Sequence, residues 1–480
     1  MTYKELPVTR ILAELEKYSL LPAIIFRSSR AQCDADIEQI YKAKRAEIDT
    51  ASQVSLREEI ERIMEKYGMD RSSIVSNPSY QPLITTACGA HHAGQLLQWR
   101  LLLEELMTRN KLRLMIATGT VAAGVDFPAR TVVITAHSRP DSEGFKNYSP
   151  SEFQQMAGRA GRRGKDKVGF CVVSPGRFCD ARYIYKLAKQ PPEPLRSAYF
   201  ASPSTVLNLL KHRTEDDLRF TVDKSLAAFL DRKEAVIVRQ GVLKLEKEKE
   251  ELLRAAKDSE ASGVQKQLKK LEKRIRRMYR QAEKLEVKQI EQLNLALAGL
   301  KELGYIDEKG LTHKGVWAAA LCTNLILILA EAIEEGLFYE ASIEELTGLV
   351  ASIAGDAHRH YYNLSPKVIP KEKFKQLEEV VRRVKSVYLA PGGFEEVEVV
   401  PDAANTAIAW SYERDWESFA SKLRLARVAE GDAARLILQT SEQLNQLTKL
   451  RDFFPDLAVT AGEARALLSR PPLTEGFMLE

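Results

Sequence analysis

Cysteine is scarce. Five residues, Cys33, Cys88, Cys171, Cys179 and Cys322, are spread over 480 positions, and no two form a C-x-x-C pair. That spacing argues against a disulfide framework and against the usual zinc motifs, and it fits a reducing, cytoplasmic setting. Charge of one sign is also lacking. The formal net charge is only +5, so charged partners must be met by local patches rather than by a global field. The first residues, with Lys4 and Glu5, contain no apolar stretch of the kind a secretory signal needs. Long apolar runs are missing with one exception, "VWAAALCTNLILILAEAI" (316–333). Asn324 lies inside it, Glu331 stands near its end, and Glu334 and Glu335 follow. Charge at those depths is costly in a bilayer. The run is therefore expected to form one buried helix of a helical domain, and no membrane association is expected.

What is present changes character along the chain. "PAIIFRS" (22–28), "RLMIAT" (113–118), "TVVITA" (131–136) and "VGFCVV" (168–173) are short, nearly continuous apolar runs. Such runs suit strands covered on both faces, hence a parallel sheet flanked by helices. Between them lie a polar helical stretch (31–67) and the amphipathic "LLQWRLLLEELMTRN" (96–110). After "KQPPEPL" (189–195) the strand signal fades. Residues 196–238 read as short helices, with Ser202 or Ser204 as a helix cap. A heptad seam follows at Val264, Leu268, Leu271, Ile275, Met278, Ala282 and Leu285. With the similar stripe at 245–256 it predicts an antiparallel hairpin, Gly263 in its turn. The second arm carries Lys266, Lys269, Lys270, Lys273, Arg274, Arg276, Arg277 and Arg280. These form either a solvated coiled-coil face or a basic stalk that tracks nucleic acid. "LKELGYIDEKGLTHKGVWAAA" (300–320) has the helix, strand, turn and helix order of a winged helix, and helices dominate from there on.

The densest run of Gly and Arg is "QQMAGRAGRRG" (154–164), which holds Gly158, Arg159, Gly161, Arg162, Arg163 and Gly164. A core does not bury unpaired guanidinium groups, and a linker does not space its glycines so regularly. A planar guanidinium on a bare backbone suits a phosphate. About thirty residues earlier, "ATGTVAAGVDFPA" (117–129) follows a strand and offers Thr118, Gly119, Thr120, Gly124 and Asp126. Small residues there let a ligand approach the backbone. Thr hydroxyls and backbone N–H groups are phosphate donors, and an Asp near a strand end can accept from a ribose hydroxyl.

Taken together, "ATGTVAAGVDFPARTVVI" (117–134) resembles motif V of superfamily-two helicases, and "QMAGRAGRRG" (155–164) resembles their motif VI. "LPAIIFRSSRAQCD" (21–34) is similar to motif IV, and "GAHHAG" (89–94) to the segment between IV and V. The resemblance sharpens toward DExH-box RNA helicases of the superkiller and exosome-associated class, to whose C-terminal part "EGDAARLILQTSEQLNQL" (430–447) is also similar. It implies a second RecA-like α/β domain over 1–190, then a mainly α region. That region would comprise a connector and winged-helix-like part (191–240), a helical hairpin or stalk (241–289) and a helical domain of DSHCT type (290–480). It implies an arginine finger at Arg162, a companion at Arg159, and ATP contacts at Gln155, Gly158, Gly124 and Asp126. Arg30, Thr118, Thr120 and His92 fall where such enzymes grip nucleic acid, although a structural pairing of His91 and His92 is the other reading. The family places a proline soon after the HHAG sequence, and "QLLQW" has none.

Two parts of the motor are not in these residues. No G-x-x-x-x-G-K-[ST] occurs, and Gly164-Lys165 has the wrong spacing. Nor is there a D-E-x-H or D-E-x-D run. ATP and Mg²⁺ would then be held mainly by a first RecA-like domain, a partner in cis or in trans, and "MTYKEL" has the look of an interrupted or separately encoded half. The expected nucleic acid is single-stranded RNA. The alternatives are an RNA-binding adaptor without a motor and half of a DNA-repair helicase. His358 and His360, near Asp356, lack the further ligands a metal site needs, so a surface helix end is expected there.

Overall fold

The computed structural model describes residues 5–119, 128–141, 144–199, 201–256, 262–364, 368–387 and 397–473. In chain order the strands of the first region are β1 (Ala23–Arg27), β2 (Cys88–His91), β3 (Leu114–Thr118), β4 (Thr131–Ile134), β5 (Ser138–Asp141), β6 (Gly144–Asn147) and β7 (Phe170–Val173). Five of them form one parallel sheet in the order β2-β3-β1-β4-β7, and β5 pairs with β6 as an antiparallel ribbon.

Three of the apolar runs form the central strands β1, β3 and β4 because both of their faces are covered. The fourth forms the edge strand β7, whose residues are exposed or half-buried. Ile24 and Phe26 of β1, Met115 and Ala117 of β3, and Val132 and Ile134 of β4 face one core, with Ile60, Trp99, Leu103 and Met156. Their neighbours Ala23, Ile25, Leu114, Ile116 and Val133 face a second core, with Ile11, Leu12, Cys33 and Ile37. The period-2 alternation of a strand thus feeds two layers. Helices Val8–Lys17 and Arg30–Lys42 lie on one side, and Thr50–Tyr67, Leu97–Thr108 and Pro150–Ala157 on the other. This is the α/β arrangement read from the sequence.

The first of the two cores does not stop at the sheet. It runs on through Leu293, Trp317, Leu346, Trp410 and Leu468, so the helical region is built onto the same face that carries Trp99. Helix Ile343–Ala354 lies at the centre of this region, packed by Pro401–Tyr412, Glu430–Thr448 and Pro455–Leu468. Trp410, Trp416 and Phe419 stack there with ring centroids 5.3 to 5.5 Å apart. The chain end returns to the sheet domain, where Gln98 Nε2 donates to the Pro472 carbonyl at 3.2 Å.

The short strands β8 (Ile306–Asp307) and β9 (Gly310–Leu311) form a two-stranded turn before helix His313–Ala318. Buried Glu331 ties this element to its neighbours. It accepts from Tyr305 Oη at 2.7 Å and pairs with Lys314 at 2.5 Å and Arg383 at 2.8 Å.

Two sequence expectations are corrected. Residues 316–333 do not form one helix: His313–Ala318 and Ile326–Glu334 are separate, with 319–325 between them. The break is stabilised because polar side chains take two of its backbone donors, while those of Ala319, Ala320 and Leu321 go back to carbonyls of the preceding helix. Cys322 N donates to Gln446 Oε1 at 2.9 Å, and Leu325 N to Thr323 Oγ1 at 3.1 Å. Among the described residues no helix is long and apolar enough to cross a membrane.

The hairpin consists of helices Leu226–Ala256 and Ser262–Glu302, longer than the 241–289 expected. Val242, Leu245, Leu271 and Ile275 form its seam, and Arg239 and Lys249 tie across to Glu286 and Glu272. Gly263 lies in the first turn of the second helix rather than in the connection. At that position its N–H has no intrahelical acceptor to lose.

Candidate functional site

All five sheet strands run the same way, so ligand-facing loops gather at their carboxyl ends. Arg27 of β1 lies opposite Thr118 of β3, and His91 of β2 beside Ala117. From there the chain enters the loop after β2, from His92 to Leu96, and helix Arg30–Lys42. Ser29 caps that helix by accepting from Gln32 N at 3.3 Å, which sets Arg30 at its first turn.

The carboxyl end carries a charged seam with the helical domain. Arg30 Nη1 pairs with Asp432 Oδ2 at 2.7 Å, and Arg359 stands 3.9 Å from the same oxygen. His92 is buried, and its Nε2 lies 2.8 Å from Asp34 Oδ1. Gly94 N donates to His92 Nδ1 at 3.2 Å. Nδ1 is therefore the acceptor nitrogen, and Nε2 carries the proton that goes to Asp34. His91 Nε2 meets Glu104 at 2.6 Å, and burial lowers the His91 pKa against the pull of that carboxylate. Gly431, in the first turn of helix Glu430–Thr448, donates from its N–H to the Gly94 carbonyl at 3.0 Å. Beside this seam, burial and the nearby Arg435 and Arg30 charges lower the Arg100 pKa. The Arg100 Nε is buried with no hydrogen-bond partner among the described residues, and Arg435 is exposed.

The Gly–Arg run lies at the other end of the sheet. Ser149 and Glu152 form a capping box and Pro150 sits at the first helical position, so helix Pro150–Ala157 starts sharply and delivers Gln155 in its last turn. Gln155 and Gly158 are exposed. Gly119, at the end of β3, lies against this helix: a Cβ there would come 4.0 Å from the Met156 sulfur. The loop that follows is fastened to the lead-in of β4. Ala129 N donates to the Arg159 carbonyl at 2.9 Å, and Gly161 N to the Ala129 carbonyl at 2.7 Å. Gly161 has φ +93°, and a Cβ on Gly169 would come within 2.5 Å of the Ala160 carbonyl. Only glycines allow these two stretches of backbone to touch.

Arg162 is held by several partners. Nε donates to Asp166 Oδ2 at 2.7 Å and Nη2 to Oδ1 at 2.9 Å, a two-pronged pair, while Nη1 donates to Asn110 Oδ1 at 2.5 Å. Arg162 N adds a bond to Asp166 Oδ2 at 3.0 Å. Those bonds, the guanidinium first, hold the Asp166 carboxyl down at about 2. Asp166 is thus charged across the physiological range. What this pair adds to stability is present above the ordinary carboxylate pKa and is lost as pH falls toward 2.

The structure therefore separates the predicted residues into two groups. Arg30, His92 and Thr118 gather at the carboxyl ends of the strands. Gln155, Gly158, Arg159 and Arg162 gather at the lead-in of β4. Thr120, Gly124 and Asp126 lie outside the described residues. Sequence reasoning missed Asp166, Asn110, Asp432 and Gly431. Asp166 had a local signal, a carboxylate four residues after Arg162. Asp432 had none, being 402 positions from its partner. Among the described residues no group of three or more His, Cys, Asp or Glu is placed to hold a metal ion. His360 Nε2 instead lies 3.0 Å from the Ala426 carbonyl.

Comparison with known proteins bears on both groups. Residues 82–164 match the helicase conserved C-terminal domain, and residues 308–475 match the DSHCT (NUC185) domain. The chain is 34% identical over 203 residues to the DExH-box ATP-dependent RNA helicase DExH15, chloroplastic, of Arabidopsis thaliana, covering 42% of this chain and 17% of that protein. It is 31% identical over 243 residues to human superkiller complex protein 2, covering 49% and 19%. It is 29% identical over 223 residues to the mouse exosome RNA helicase MTR4, covering 46% and 21%. The matched stretch thus spans about a fifth of each relative's length.

Proposed function

Because the chain belongs to the superfamily-two DExH-box helicases of the superkiller and exosome class, we propose that it supplies the second RecA-like half of an ATP-dependent RNA helicase. In this reading Arg162 is the arginine finger and Arg159 its companion, with Gln155 and the bare backbone at Gly158 beside the phosphates. The observation that carries the reading is the fixing of Arg162. Its guanidinium is held on three N–H groups by described residues, in a loop that glycine alone allows to lie flat. Such a group meets developing phosphoryl charge without reorganising. Its donors suit phosphate oxygens rather than Mg²⁺, which would arrive with the nucleotide on a facing first RecA-like domain. Bound ATP supplies the phosphoryl group whose transfer releases the energy. This chain's residues orient that group, and Gly124 and Asp126 are assigned to the nucleotide edge.

The 480-residue chain alone is expected to turn over no ATP. Adding the first RecA-like domain, fused or in trans, should produce RNA-stimulated hydrolysis. Turnover by the chain alone, equal in wild type and Arg162→Ala, would refute this assignment of the arginine.

At the carboxyl ends, Thr118 and Thr120 are assigned to the RNA backbone together with the cations Arg100 and Arg435. Arg30 and His92 are assigned to holding the loop that carries them. A second basic surface lies on the stalk, where Lys269, Lys273, Arg276, Arg277, Arg280 and Lys284 line an open groove of about 1300 Å³. Each phosphate contact to a single strand adds about 0.7 to the slope of log affinity against log salt. Replacing Lys269, Arg276, Arg277 and Arg280 by alanine should therefore flatten that slope in RNA titrations. An unchanged slope would leave the hairpin as a spacer.

A further inference from the structure

If Arg162 is the finger, as proposed above, something must keep a long, flexible side chain aimed at a nucleotide that is present only part of the time. Arginine has five N–H donors arranged in a planar fork. Among the described residues, Asp166 takes one on Nε and one on Nη2, and Asn110 takes one on Nη1. One donor on each Nη remains. The carboxylate therefore grips the guanidinium along its side edge and leaves donors at its tip. The same carboxylate also accepts from the Arg162 backbone N–H, so both ends of the side chain are tied to one group.

The turn between the two residues is closed as well. Lys165 N and Asp166 N both donate to the Arg162 carbonyl at 3.0 Å, and Gly164 has φ +75°, a conformation costly for other residues. Arg162 is 16% exposed and Asp166 4%, so water and salt screen the pair little. Asn110 reaches the guanidinium from the segment that leads into β3, which ties the turn to the sheet.

We infer that Asp166 is a positioning residue, which clamps Arg162 side-on so that its tip donors are preset for the transferring phosphoryl group. The arrangement has a definite electrostatic consequence. A carboxylate beside a phosphate site weakens ground-state attraction for ATP while fixing the geometry that the transition state needs. Asp166→Asn keeps the shape and one acceptor but places an amide donor against a guanidinium donor. It should therefore lower kcat and leave the KM for ATP unchanged or lower. A loop that was merely loosened would raise KM.

The test uses the full chain joined to a first RecA-like domain, as wild type, Arg162→Ala, Asp166→Asn and the double variant. A misaimed catalytic group costs roughly 10- to 100-fold, so Asp166→Asn should lose about that in kcat. The double variant should be no slower than Arg162→Ala, since a clamp with nothing to hold has no further effect. A kcat for Asp166→Asn within about twofold of wild type overturns the inference, as does a loss additive with that of Arg162→Ala. In the chain alone, phenylglyoxal labelling followed by mass spectrometry should find Arg162 protected in wild type and reactive in Asp166→Asn, with exposed Arg163 as the internal reference. Equal Arg162 labelling in both overturns the clamp itself. If labelling changes as expected but Arg162→Ala turns over ATP normally, the finger assignment is what fails.

Discussion

With the first RecA-like domain supplied, Arg162→Ala is expected to lower RNA-stimulated ATP turnover by about 10³- to 10⁵-fold, the range a finger contributes. RNA affinity should stay close to wild type. The size follows from where the charge develops. In phosphoryl transfer the protein makes few bonds to the reacting group, and stabilising charge on its oxygens is most of what it can do. A factor of 10³ corresponds to about 4 kcal/mol, which is reasonable for a preset cation in a site closed to water. The insensitivity of RNA binding follows from the fold. Arg162 is tied to Asn110 and Asp166, and its loop to Ala129, all at the lead-in of β3 and β4. Thr118 and the Arg30 seam stand at the opposite, carboxyl ends. Lysine at 162 should not restore activity, because a point charge can neither fill the two-pronged site on Asp166 nor present a second edge to a phosphate. Steady-state ATPase assays with and without RNA, paired with fluorescence titration of labelled RNA, separate the two effects. A variant that loses RNA binding and keeps hydrolysis would place the Gly–Arg run on the wrong phosphate.

The chemistry at that end of the sheet was legible because its residue types are unusual. Three arginines and three glycines within "GRAGRRG" have no use in a core or a linker, and a reader needs no partner residue to see it. The strands β1, β3 and β4 were legible for a similar reason: parallel strands covered on both faces leave continuous apolar runs. The edge strand β7 is apolar in sequence although half of it is exposed. β2 was not. "CGAH" carries neither branched nor aromatic residues, and it is a strand because helix Leu97–Thr108 presses on it. A Cβ at Gly89 would come 2.6 Å from Leu103 Cδ2. Tertiary contact decides that segment, and local propensity does not. The same holds for the break at 319–325, where the N–H groups of Cys322 and Leu325 are met by the side chains of Gln446 and Thr323. At the carboxyl ends Arg30 and His92 read as cations or donors for nucleic acid, while the fold supplies Asp432 and Asp34 as their partners. Asp432 stands at a distance along the chain that no local pattern spans.

Gly431 is where that long-range pairing is set, and Gly431→Val is expected to open the seam. A Cβ at this position would lie 2.5 Å from the Ala93 carbonyl oxygen and 2.6 Å from that of Gln95. Both neighbours are backbone, so neither can swing aside as a flexible side-chain tip would. Either helix Glu430–Thr448 withdraws or the loop after β2, which carries Ala93, Gly94 and Gln95, does. In both cases the Gly431 N–H bond to the Gly94 carbonyl and the Arg30–Asp432 pair are put at risk together. Overpacking of this kind costs roughly 1–3 kcal/mol, and the half-buried ion pair adds to it if its partners part. Hydrogen exchange followed by mass spectrometry should show faster exchange at 89–95 and in the first turns of helix Glu430–Thr448, with β1, β3 and β4 protected as before. Because the His92 ring accepts from Gly94 N and donates to Asp34, its environment should shift in the same variant. Arg30→Ala should show a weaker form of the same pattern, since it removes the ion pair and leaves the backbone contact in place. If Gly431→Val exchanges like wild type in both segments, this backbone contact does not hold the seam closed, and the shared apolar core is sufficient to do so. The assignment of Arg30 and His92 to the loop's support would then have to be withdrawn in favour of direct contact with RNA.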